Sequence, residues 1–342
     1  MNKYLNRNSN FELLRIISIV MIMMLHYLGY WTLDNVNKDT LNYYIVYLIQ
    51  SISVMGVNCF ILITGYFLIE KDRVNIRKIV DLLLIVAFYG FIFYFFMMFI
   101  NKTSFNIKDF IKALIPFLIG KRWFVRTYII LFLLAPYINK CLISLHKKSF
   151  QLLILILIIF FSIWPSFFPY PPVDDAGYGI INFIVLYTIA AYIKLHVKDI
   201  ENNKIKLYIF CYIICVMITY FGTIYNIYSW GYNFIFNILG SLMIFLIFSQ
   251  IKIQSSKINY VALFVFGIYM GHCDFQTESW VYGKILKCYV YGNSNLLIPH
   301  MIFSILILFI LCLVIDIIRN KIFEKIVNPV IGNINILNKE IK

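Results

Sequence analysis

Ten apolar runs of 18 residues or more divide this sequence of 342 residues, at roughly 11–30, 41–68, 79–100, 124–143, 150–168, 179–196, 206–226, 232–250, 258–275 and 296–318. A helix needs about 20 apolar residues to cross a bilayer, whereas a spanning strand needs about 9–11. The runs therefore exclude a β-barrel and predict an all-α fold: a polytopic transmembrane helical bundle of about ten spans. Composition points the same way. Hydrophobic residues make up 62% and charged residues 13%, with a mean hydropathy of +0.82. A water-soluble fold of this length cannot hide so much apolar surface. No soluble domain fits between the runs, and no sequence repeat is evident, which counts against an inverted-repeat transporter. The first run is too long for a cleavable signal peptide and carries Arg15 and His26.

The net charge of +14 would suggest nucleic acid if it lay on one soluble face. Spread over the loops of a membrane protein, it sets orientation instead. With the N-terminus inside, 21 of the 30 Lys and Arg fall on inner segments, counting Arg15, and nine on outer ones. That bias predicts both termini in the cytoplasm and a multi-pass protein of the cell membrane. The same topology puts all five Trp outside: Trp31, Trp123, Trp164, Trp230 and Trp280. An interfacial belt is the ordinary reading, but belts occupy both faces, and a one-sided set also suits the stacking of sugar rings. In the longest outer segment, Asn106 can cap a helix whose Phe110, Ile111, Leu114, Ile115 and Leu118 share one face. It reads as a helix lying on the outer membrane surface.

The seven Cys have no metal spacing, and no metal is expected. Cys59, Cys211, Cys215 and Cys312 read as small core residues, and a disulfide between Cys273 and Cys288 is left open. Ionisable residues inside spans are costly and are functional candidates by default. Glu12 and Arg15, three apart, can pair on one helix face. Arg15 and His26 are eleven apart, close to three full turns, so both lie on one stripe about 16 Å apart along the axis. The layout suits a charged ligand held near the inner surface whose reactive end reaches the imidazole. A snorkelling Arg15 with a His26 satisfied by a neighbouring helix is the plain alternative. His272 lies at a similar depth in the ninth run, after Gly267 and Gly271, whose spacing lets another helix approach closely. His146, His196 and His300 sit at span ends and read as interfacial. The inner loop holds Arg73, Arg77 and Lys78, which suit either anionic lipid or the phosphates of a cytosolic cofactor.

Several ordered features resemble the integral-membrane acyltransferase 3 superfamily, which includes bacterial polysaccharide O-acetyltransferases. They are Glu12, Arg15 and His26 in span one, and the segment from Val57 to Phe67 with Thr64-Gly-Tyr, where Ser is common at the Thr position. The stretch Arg122-Trp-Phe-Val-Arg-Thr-Tyr with the later Ala135-Pro-Tyr follows, and then Gly267-Ile-Tyr-Met-Gly-His272. The basic loop departs from the usual close Arg pair, since Arg73 and Arg77 are four apart. The resemblance covers about 10–320, leaving 321–342 as a short cytoplasmic tail.

It implies transfer of an acyl group, commonly acetyl, from cytosolic acetyl-CoA to a hydroxyl of an extracytoplasmic polysaccharide or glycan precursor. On that reading His26, Glu12 and His272 are the catalytic candidates, with His26 as general base. Arg15, Arg73 and Arg77 would hold the donor's phosphates, and Trp123 and Arg126 would meet the glycan. The expected partners are the acyl-CoA donor, the glycan acceptor and the bilayer, with no nucleic acid. Few Ala with abundant Ile, Asn and Lys suggest a bacterial source. The rival reading is an exporter of a glycan or lipid-linked intermediate, in which the charged stripe lines a passage and no acyl group moves.

Overall fold

The computed structural model describes residues 7–29, 32–119, 122–197, 204–225, 227, 229–332 and 340–341. Trp31 and part of the expected tail, 333–339 and 342, lie outside the described residues. The described residues are predominantly helical, as a bilayer demands of any segment that must satisfy its own backbone. Among the described residues, seven helices are long and apolar enough to cross a membrane: Ser9–Gly29, Leu41–Leu68, Ile76–Asn101, Trp123–Ser144, Lys147–Phe167, Ile205–Ile224 and Leu297–Val330. Ile180–His196 and Ile235–Gln250 are apolar but shorter.

In chain order the helices are α1 (Ser9–Gly29), α2 (Thr32–Asn35), α3 (Leu41–Ser53), α4 (Gly56–Leu68), α5 (Ile76–Asn101), α6 (Ile107–Leu114), α7 (Trp123–Ser144), α8 (Lys147–Ile158) and α9 (Trp164–Phe167). They continue with α10 (Ile180–His196), α11 (Ile205–Ile224), α12 (Ile235–Gln250), α13 (Ser256–Ala262), α14 (Val265–His272), α15 (Cys288–Tyr291), α16 (Leu297–Ile322) and α17 (Asn328–Gly332). Two of the apolar runs are subdivided. The run at 41–68 is interrupted between α3 and α4, and that at 258–275 between α13 and α14. Periodicity does not register such breaks, because the residues on both sides remain apolar. The expected tail begins as helix, through a wider π-helical turn at Phe323–Val327 and then α17.

Two compact units make up the chain. The first comprises Met1–Leu25, Tyr44–Asp72 and Ile130–Ala262. Here α4 packs on α10 at Gly65, where an added Cβ would meet the Tyr187 carbonyl at 2.8 Å. Phe11 gathers Tyr66, Phe67 and Phe245 at centroid distances of 5.2–5.3 Å. Neutral side chains tie the helix ends. Asn139 donates to the carbonyls of Leu68 and Lys71, at 2.8 and 2.9 Å, where α4 gives way to a turn, and accepts from the Tyr187 hydroxyl. Asn237 donates to the carbonyls of Ser229 and Gly231, both at 2.8 Å, and accepts from Thr219, so it fixes the α11–α12 connection.

The second unit comprises His26–Tyr43, Arg73–Ile129 and Leu263–Lys342. Val86, Tyr89, Val125 and Met270 form its buried centre. Gly267 and Gly271 allow the close approach that their spacing predicts: a Cβ on Gly267 would strike the Asp316 carboxylate, and one on Gly271 would press on Cys312 and Tyr89. That carboxylate is buried, accepts from Tyr89 at 3.0 Å and is gripped twice by buried Arg319, at 2.5 and 3.0 Å. Asn106 caps α6 as expected, its side chain accepting from the amides of Lys108 and Asp109. Ile107 and Ile111 stay exposed, while the Ala113 backbone lies on α5 where Gly90 leaves no Cβ in the way. Two residues of strand, Val74–Asn75, pair antiparallel with Glu340–Ile341.

Candidate active site

Two histidines 246 residues apart meet in the second unit. His26, in the last turn of α1, places Nδ1 3.0 Å from Nε2 of His272, the last residue of α14. The rings lie 5.1 Å apart and tilted by 40°. His272 is fully buried, whereas His26 keeps part of its surface open. The protonation pattern follows from one backbone group. His272 Nδ1 is 2.8 Å from the Ile268 carbonyl, which can only accept, so Nδ1 carries the proton. Its Nε2 is then an acceptor, His26 must donate from Nδ1, and His26 Nε2 is left with a free lone pair. A neutral imidazole so arranged is a ready proton acceptor.

That lone pair faces a thiol. Cys273 Sγ is 3.4 Å from His26 Nε2 and 3.6 Å from Glu278 Oε2. The segment is held from behind by Arg122, which sequence reasoning read as an outer charge within the Arg122-Trp-Phe stretch and gave no role in the site. Arg122 is buried, pairs with buried Asp274 at 2.6 Å and also donates to the carbonyls of Cys273 and Met270. Its guanidinium sits 5.9 Å over the Tyr269 ring. Asp274 in turn accepts from the Gln276 amide at 2.9 Å, which rigidifies the turn after α14. Cys273 and Cys288 are both free thiols. Burial pushes Cys288, in the connection before α16, up to about 12.

His300, read from sequence as interfacial, is anchored as well. It stacks on Tyr291 at 3.6 Å and its Nδ1 meets the Tyr27 hydroxyl at 2.7 Å.

The remaining candidates fall elsewhere. In the first unit Glu12 is buried and receives Arg15 at 2.7 Å and Arg7 at 3.2 Å. The predicted Glu12–Arg15 pair is therefore present, joined by an Arg7 that sequence reasoning treated as a topology charge. Glu12 belongs to the first unit and His26 to the second. The direct reach of Glu12 is to the two guanidiniums. In the second unit Arg77 is committed to Asp81 at 2.8 Å and to Asn328 at 3.0 Å, and Arg73 is exposed. Trp123 opens α7 edge-on to Phe124, and Arg126 is exposed, one turn from the buried Arg122. Among the described residues no three His, Cys, Asp or Glu side chains gather as a metal set.

A family model described as an acyltransferase domain matches residues 8–319, which is nearly the whole chain. The chain belongs to the acyltransferase 3 family. No curated protein and no solved structure matches it. As a member of an acyltransferase family it needs a group that can take a proton from a nucleophile, and the unprotonated His26 Nε2 can do so. What sequence reasoning missed was the support for that group. Arg122 and Asp274 each stand in the motifs quoted for the resemblance or directly beside them, in Arg122-Trp-Phe and in His272-Cys-Asp. Nothing in their spacing announces that they pair across 152 positions.

Proposed function

We propose that this acyltransferase moves an acyl group, acetyl in the first instance, from cytosolic acyl-CoA to a hydroxyl of an extracytoplasmic polysaccharide or glycan precursor. The observation that carries the reading is the His26–His272 pair, whose hydrogen-bond order leaves His26 Nε2 free to accept the hydroxyl proton. The Arg7–Glu12–Arg15 cluster supplies two guanidiniums for one carboxylate, an excess positive charge suited to the donor's phosphates. Glu12 then serves as a positioning group for Arg15, and Arg73 and Arg77 remain further candidates for the phosphates. Trp123 and Arg126 would meet the glycan.

The topology that goes with this reading has ten crossings, α13 and α14 forming one of them in two pieces, both termini in the cytoplasm and the cell membrane of a bacterium as location. Cysteines introduced at exposed Tyr170 and Ser149 should label from outside and inside respectively. Labelling of both from one side would remove the two-sided scheme. The functional test is donor dependence. Reconstituted protein should consume acetyl-CoA and esterify glycan hydroxyls, and cells lacking the gene should show the corresponding mass loss in their surface polysaccharide. Indifference to acyl-CoA, with glycan passage across the vesicle membrane intact, would favour an exporter.

A further inference from the structure

We propose that Cys273 carries the acyl group between donor and acceptor as an enzyme thioester, an inference that rests on the acyl-transfer reading and deepens it. Two side chains flank this one sulfur, and its backbone is held from both sides. The thiol lies 3.4 Å from His26 Nε2, the nitrogen that the Ile268–His272–His26 chain leaves unprotonated. On its other side Glu278 Oε2 lies at 3.6 Å. The backbone is pinned at both ends: His272 through its bond to Ile268, and Asp274 through its ion pair with Arg122, which also donates to the Cys273 carbonyl. Both Cys273 and His26 keep partial exposure beside these buried groups. A nucleophile beside a base, with the base oriented by a third group, is the arrangement that covalent acyl transfer requires.

The step balances as follows. His26 Nε2 takes the Cys273 S–H proton while Sγ attacks the thioester carbonyl of acyl-CoA. The bond between the acyl carbon and the CoA sulfur breaks, and the departing sulfur takes the proton from His26. In the second half the acceptor hydroxyl gives its proton to His26 Nε2 and its oxygen attacks the acyl carbon. The bond to Sγ breaks, and the proton returns to Cys273. The first half exchanges one thioester for another, so it is close to balanced in energy and readily reversed. Donor and acceptor then need never occupy the site together.

Reversibility supplies the test. Full-length protein in lipid vesicles, given acetyl-CoA and isotopically labelled CoA but no acceptor, should scramble label between the two. Digestion of the quenched protein should yield a Cys273 peptide heavier by one acetyl group and labile to hydroxylamine. Cys273→Ala should lower exchange by at least ~100-fold, while Cys141→Ala, at an exposed position, leaves it unchanged. Cys273→Ser guards against a folding artefact: it should accumulate as a stable oxygen ester that turns over slowly. The proposal falls if wild type esterifies glycan without any exchange, if the acetyl mark maps to another residue, or if Cys273→Ala acylates at the wild-type rate. Those outcomes leave acyl transfer itself standing. Absence of any glycan esterification by wild type, by contrast, removes the broader reading and this one with it.

Discussion

The two units bury polarity in different currencies. Among the described residues of the first, Glu12 is the one charged side chain that is buried, while Asn58, Asn139, Thr219, Ser229, Asn237 and Ser241 are neutral. The second buries Arg122, Asp274, Asp316 and Arg319, together with His272. A buried amide or hydroxyl is satisfied by hydrogen bonds alone, and in the first unit such groups close helix ends and fix a connection. A buried charge costs several kcal/mol unless it is paired, so its retention calls for a reason beyond packing. The contrast suggests that the first unit uses polarity to hold helices in place and the second uses it to hold a reacting group.

The largest expected effect tests the reacting group. His26→Ala should lower glycan acylation by about 10²–10⁴-fold, the usual contribution of a general base, with normal amounts of inserted protein. Undiminished acylation in such membranes would leave the second unit's charges without a catalytic purpose.

Next comes the ion pair behind it. Arg122→Met strands the Asp274 carboxylate and should cost about 3–5 kcal/mol in unfolding measured in detergent. Arg122→Met combined with Asp274→Leu should recover most of that loss, because no charge is then left unpaired. If the single variant melts like wild type, the pair is not the strut described here.

Asn237→Ala probes the neutral side of the comparison. It leaves two carbonyls and the Thr219 hydroxyl short of a partner and should cost about 1–3 kcal/mol. The KM for the acyl donor should not move. A large rise in that KM would show that the first unit's amides serve the donor as well as the fold.

The smallest effect concerns the first unit's exceptional charge. Arg15→Lys keeps the charge but loses the fork of donors, so donor affinity should weaken a few-fold with kcat little changed. No change would mark the Glu12 cluster as a topology anchor.

Much of this was legible in the sequence because it is local or periodic. Apolar runs longer than a bilayer is thick allow only helices in lipid, so the all-α class and the membrane setting were fixed by run length. The same holds for the Glu12–Arg15 pair, the Asn106 cap and the close packing at Gly267 and Gly271, each set by spacing along one helix. The breaks between α3 and α4 and between α13 and α14 were not legible, since apolar residues flank both. Equal depth allowed His26 and His272 to share a cavity but did not establish that they are in contact, and nothing announced the partnership of Arg122 with Asp274 or of Asp316 with Gly267. Such pairs join residues 49 to 246 positions apart, and no periodicity relates one helix to the register of another. Sequence could nominate two histidines at one depth. Only the tertiary structure decided that their nitrogens touch, which of them holds the proton, and that a thiol waits beside the free lone pair.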